Sequence, residues 1–169
     1  MALSGPALAQ SVGEKTGINS ALGVSPSTPD FIKQVAISDL FEIEASKLAA
    51  QKGDAATKEF ANKMVADHTK TSMELKATVQ TEPNAAIPDA LDSSHQSKLD
   101  KLKKLSGAEF IREYRGQQAS AHKDAVSLFE RYAKGGDNER LKVWAAKTLP
   151  ALQHHLEMAT ALSKERVGS

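Results

Sequence analysis

Two glycine–aspartate stops, Gly53-Asp54 and Gly136-Asp137, constrain the fold of this chain more than any other feature. Each interrupts a long stretch in which apolar side chains recur three and four positions apart. That spacing lines one face of an α-helix. Glycine followed by aspartate ends one helix and caps the next. The first pair of helices is expected over about Pro29–Lys52 and Ala55–Thr81, with Phe31, Val35, Phe41, Ala45 and Ala49 on one stripe and Phe60, Met64, His68, Leu75 and Val79 on the other. The second pair is expected over about Ala108–Lys134 and Asn138–Ser163. Its stripes are Ile111, Tyr114, Gln118, His122 and Phe129, then Leu141, Trp144, Leu152, His155 and Ala159. Thr28 or Asp30 is the expected N-cap of the first helix, and Pro150 should kink the fourth near residues 146–150.

The two halves also share a weak repeat. Gly53-Asp54 followed by Lys58-x-Phe60-Ala61-x-Lys63 matches Gly136-Asp137 followed by Lys142-x-Trp144-Ala145-x-Lys147. The expected fold is therefore all-α: two αα-hairpins forming a ferritin-like up-down four-helix bundle. A short extra helix, about Asp92–Leu105, lies in the crossover between helices 2 and 3, behind Pro83 and Pro88. Leu99, Leu102 and Leu105 form its apolar edge, and Lys98, Lys101, Lys103 and Lys104 its solvated side. The bundle domain occupies residues 30–163, between a Gly- and Pro-rich flexible arm at 10–29 and a tail at 164–169.

Composition narrows the function. Lys and Arg number 22 against 21 Asp and Glu, so no basic surface for nucleic acid is implied. No apolar run approaches the ~18 residues that span a bilayer. The absence of cysteine removes disulfides, thiolate metal sites and a cysteine nucleophile. Pro6-Ala7-Leu8-Ala9-Gln10 has the small–x–small pattern of a signal-peptidase site. Residues 1–9 are therefore read as the remnant of a signal peptide, and the mature protein as exported and soluble in the periplasm. No phosphate loop, nucleophile elbow or His-Glu-x-x-His helix occurs. Whether the chain is an enzyme is left open, with a non-enzymatic role preferred over a hydrolase or redox enzyme, and self-association and protein partners are left open too.

Three of the five histidines, His68, His122 and His155, fall on apolar stripes of three different helices. One inward ligand per helix is how bundle proteins hold metals. Imidazole with carboxylate suits one ion of zinc, copper, iron or manganese. The first helix has no histidine, so its contribution would be Glu42, with Glu44 and then Asp39 behind it. Depth is a check. His68 lies 15 residues after Gly53 and Glu42 lies 11 before it, a height mismatch of roughly 6 Å at ~1.5 Å per residue. Asp39 is nearer in height but sits less well on the stripe. Met64 and Met158, one turn from His68 and His155, are secondary candidates that would favour copper. Methionines at helical spacing are more often core filler.

The competing reading is a non-enzymatic structural or interaction module whose buried histidines form a polar core network. Tyr114, Gln118 and His122 stand at i, i+4 and i+8 and suggest a hydrogen-bonded ladder. A di-iron centre is excluded in either case. It needs Glu-x-x-His pairs, and the residues three before His68, His122 and His155 are Val65, Ala119 and Leu152.

These residues together resemble a known family. Glu42-Ile43-x-Ala45-Ser46-x-Leu48-Ala49, Phe60-Ala61-x-x-Met64-Val65-x-Asp67-His68 and Leu149-Pro150-x-Leu152-x-x-His155-Leu156 are similar to the exported domain-of-unknown-function 4142 family. The likeness extends over about residues 30–163. It implies a ferritin-like helical bundle of the bacterial envelope, in a family often labelled outer-membrane proteins, with no established reaction. That label fits poorly with a helical chain, because outer-membrane spans are β-barrels. The motif positions include Glu42, Asp67, His68, Tyr114, Gln118, His122 and His155. Ile111-Arg112 departs from the pattern, in which an acidic residue should follow the phenylalanine.

Overall fold

The computed structural model describes residues 12–15, 17–82 and 85–167, and residues 1–9, read as a signal-peptide remnant, lie outside them. Among the described residues there are helices and no strand. Four helices are long: α3 (Thr28–Lys52), α4 (Ala55–Val79), α6 (Gly107–Gly135) and α7 (Glu139–Lys164). The shorter ones are α1 (Val12–Lys15) and α2 (Ile18–Ala21), within the expected arm, and α5 (Ser93–Lys104), in the link between α4 and α6.

Caps set the boundaries. Ser27, not Thr28 or Asp30, caps α3 by accepting from the Asp30 N–H. Pro29 then falls inside the first turn, where its missing N–H costs no helical bond. Asp54 caps α4, Asp92 caps α5 and Asn138 caps α7. At Gly136 an added Cβ would stand 2.6 Å from the Tyr132 ring and 2.7 Å from its carbonyl, so the α6–α7 turn requires glycine. The assigned helix α7 runs through Pro150 without interruption.

α3 packs on α4 and α6, and α7 packs on α6 and α4, while α5 lies against α3 and α6. The apolar interior is two clusters. One gathers Phe31, Val35, Leu75, Val79, Leu128, Phe129, Tyr132, Leu141, Trp144 and Leu152. The other gathers Phe41, Ala45, Phe60, Met64, Leu99, Leu102, Phe110, Tyr114, Ala159 and Leu162. α3 and α7 run from the first cluster to the second, and α4 and α6 run back. The four directions are therefore up, down, down, up rather than strictly alternating. The link after α4 makes this order feasible. Ala85 and Ile87 pack on the first cluster, and Leu91 and Leu105 on the second, so the link returns the chain along the molecule.

Each long helix changes cluster at a polar residue. On α3 these are Asp39 and Glu42, between Ala36 and Ala45. On α4 it is His68, between Met64 and Leu75. On α6 they are Gln118 and His122, between Tyr114 and Leu128. On α7 it is His155, between Leu152 and Ala159. A buried polar layer thus separates the two halves of the core.

Candidate metal centre

His68, His122 and His155 are each no more than 3% exposed. One ring nitrogen from each lies within 4.8 Å of the others, and their ring centroids are 5.4 to 5.7 Å apart.

Each ring has one nitrogen committed to a carboxylate or carbonyl, and this sets the tautomers. His68 Nδ1 donates to Asp39 Oδ1 at 2.8 Å, and the other oxygen of Asp39 accepts from Ser72 Oγ. His122 Nδ1 donates to the Gln118 carbonyl at 2.9 Å. His155 Nε2 donates to Asp67 Oδ2 at 2.8 Å, an oxygen also held by Lys63. The nitrogens left bare are Nε2 of His68, Nε2 of His122 and Nδ1 of His155. The first two face each other at 3.4 Å, and the third is buried with no partner. Two imidazole lone pairs so close repel unless a proton or a cation sits between them.

The set fits a metal. Two nitrogens at tetrahedral angles on an ion at 2.0–2.1 Å are about 3.4 Å apart. Each candidate ligand is also oriented from behind by a carboxylate or a carbonyl, the support that metal-binding histidines usually have. Asp39 and Asp67 would together balance a divalent charge one residue away from it.

Electrostatics divide the layer. Burial and the neighbouring His68 charge push His122 down to about 3. Burial pushes His155 down to about 4, against the opposing hydrogen bond from Asp67. Burial also opposes charge on His68, but the hydrogen bond and charge of Asp39 outweigh it and hold its pKa up. When His68 is protonated, the proton on its Nε2 points at His122 and relieves the repulsion. Glu42 is 1% exposed, its carboxyl lies beside the Gln118 amide without a well-formed hydrogen bond, and burial raises it to about 7. Burial raises Asp39 too, partly offset by His68.

Of the other residues singled out in the sequence, Glu42 stands beside the cluster but outside the group able to converge on one ion, as the height mismatch anticipates. Glu44 is exposed and paired with Lys47 at 2.8 Å. Met64 is fully buried in the second apolar cluster, and Met158 packs against it. The side-chain ladder on α6 does not form. Helical side chains lean toward the N-terminus, so His122 reaches the backbone carbonyl of Gln118 instead of its amide. Tyr114 crosses to Ser46 Oγ at 2.8 Å, and the Gln118 amide lies beside the Glu42 carboxyl.

Two functional contributions had little sequence signal. Asp39 serves as the partner of His68, and only its height on α3 pointed to it. Arg115, 2% exposed, donates to both Asp54 oxygens, to Thr57 Oγ1 and to the Leu162 carbonyl. It ties α6 to the start of α4 and the end of α7, and an arginine beside a stripe residue reads as solvated until its acceptors are placed.

The fold and this cluster define an all-helical protein with a buried three-histidine centre. The chain belongs to the family described as Domain of unknown function (DUF4142), whose sequence profile matches residues 13–162. No curated protein and no solved structure matches it.

Proposed function

We propose that this protein is an exported, ferritin-like four-helix bundle that binds one transition-metal ion through His68, His122 and His155, for metal handling or stress protection in the periplasm. The observation that carries this reading is the convergence of three buried imidazoles, each ring held by Asp39, the Gln118 carbonyl or Asp67. A converging set of imidazoles without a carboxylate suits zinc, copper or iron better than manganese. Three protein ligands leave a position for water. The ferritin-like assignment draws on the up, down, down, up order and the long return link, the connectivity of bundles with one crossover. Export draws on the cleavage-like Pro6–Gln10 pattern and on the family resemblance. No described helix is long and apolar enough to cross a membrane.

The test is elemental analysis of untagged protein from the periplasmic fraction, with zinc and copper titrations of the metal-free form. We expect about one ion per chain, a melting temperature raised by the ion and lowered again by a chelator, and loss of both in His68→Ala and His122→Ala. Ligand present at 100 times its Kd adds about 2.7 kcal/mol to stability. A chain that takes up none of these ions would sink the proposal and leave the histidines as a structural network.

A further inference from the structure

An ion held by the three histidines has to cross the shell that buries them, and the groups behind the rings differ in what they offer it. Gln118 is fully buried. Asp39, behind His68, has a side chain only 4% exposed. Asp67 bonds to His155 just as directly, yet its side chain is 36% exposed. Its two partners, His155 Nε2 and Lys63 Nζ, both sit on Oδ2 at 2.8 Å. Oδ1 has no hydrogen-bond partner among the described residues. One oxygen of Asp67 thus holds a histidine of the cluster while the other remains available to an incoming cation. The hydrogen bond to His155 crosses the seam between α4 and α7.

A rival approach lies on another side of the bundle. A cavity of about 730 Å³ between α3, α5 and α6 touches Asp39, His68 and Lys98. The side chains of Asp39 and His68 are closed to water even so, and the oxygens of Asp39 are taken by His68 and Ser72. At the seam the obstacle is smaller. Lys63 is itself exposed, and an ion pair as exposed as Lys63–Asp67 is weak and breaks readily. Its positive charge beside the carboxylate still repels a cation that approaches from solvent.

We propose that the metal enters and leaves the bundle at the seam between α4 and α7, where Asp67 is the first protein group it contacts and Lys63 is the charge that holds it back. This route rests on the metal-binding reading of the histidines, and the experiment separates the two. The zinc-loaded full chain is mixed with an excess of a chromogenic chelator to give the release rate. Equilibrium competition gives the stoichiometry and the Kd, and the release rate divided by Kd gives the rate constant for entry. Lys63→Gln and Lys98→Gln each remove one exposed positive charge, the first at the seam and the second at the cavity. At about 0.1 M ionic strength, where charges are screened over ~10 Å, Lys63→Gln should speed entry about threefold or more. Lys98→Gln should change it by less than about 1.5-fold, and the gain should disappear at about 1 M salt, where the screening length is about 3 Å. Asp67→Asn keeps an acceptor for His155 but removes the charge, and it should slow entry about fivefold or more. A residue that only steadied His155 would, on that substitution, release zinc faster and leave entry untouched, and this result would overturn the proposal. Faster entry in Lys98→Gln but not in Lys63→Gln would overturn it too and move the route to the cavity. One equivalent of zinc bound with entry indifferent to all three changes would overturn the route alone. No zinc bound at equilibrium would overturn the metal reading and the route with it.

Discussion

At the scale of single residues, the polar layer is a set of opposed titrations. His122 and His155 are held neutral, at about 3 and about 4, while the unfolded chain protonates both near pH 6.5. Their contribution to stability is full above that pH and is lost as pH falls toward 4. Glu42 has the opposite sign. Raised to about 7, it contributes fully below its ordinary 4.5 and loses that contribution as pH rises through 7. His68, held up by Asp39, likewise contributes fully below 6.5 and loses as pH rises through its folded value. Buried histidines alone would make the protein acid-sensitive below about pH 6. Between pH 6.5 and 4.5 Glu42 offsets one of the two histidines while His68 is protonated in both states, so thermal melts of the metal-free chain should show a net loss of about 1.4 kcal/mol per pH unit. Glu42→Gln removes one opposing proton and should steepen the acid-side loss by about 1.4 kcal/mol per pH unit. A variant whose melts track the parent would contradict this balance. Asp39→Asn keeps the shape but weakens the support behind His68. Zinc affinity, measured by chelator competition, should fall about 10- to 100-fold and not vanish.

At the scale of elements, both hairpins were legible because their turns are chemical: glycine ends a helix and aspartate or asparagine caps the next. Boundaries read from the stripes fall within a few residues of the observed ones. The Ser27 cap was missed because three residues within one turn, Ser27, Thr28 and Asp30, can all cap, and only the path of the chain selects one. The joint between the hairpins depends on Arg115, whose guanidinium serves the start of α4 and the end of α7 at once. Arg115→Ala leaves those acceptors without a donor and should cost about 3 kcal/mol in urea unfolding. Arg115→Lys should recover only part of it, since an ammonium cannot reproduce the two-pronged grip on Asp54.

At the scale of the whole molecule, two apolar clusters act as clamps on either side of the histidine layer. Phe31 is central to the first. It is fully buried, stacks on Tyr132 at 3.9 Å and meets Phe129 and Trp144 edge-on. Phe31→Ala should cost about 3–5 kcal/mol, yet zinc stoichiometry should be unchanged where the chain is still folded, because the ligands lie beyond that cluster. Loss of the stoichiometry in a folded variant would mean that the layer depends on the first clamp more than its position suggests.

Periodicity, turn chemistry and the family pattern were enough to show that the chain is helical, where its long helices lie and which three histidines face inward, because helix phase is a local property. The pairing of Asp39 with His68, the tautomers of the histidines, the meeting of Glu42 with Gln118 and the cavity beside Lys98 were decided by tertiary structure. Each depends on the relative height and facing of helices far apart in the chain, and a displacement of a few ångströms there determines whether a carboxylate faces an ion, an imidazole N–H or nothing.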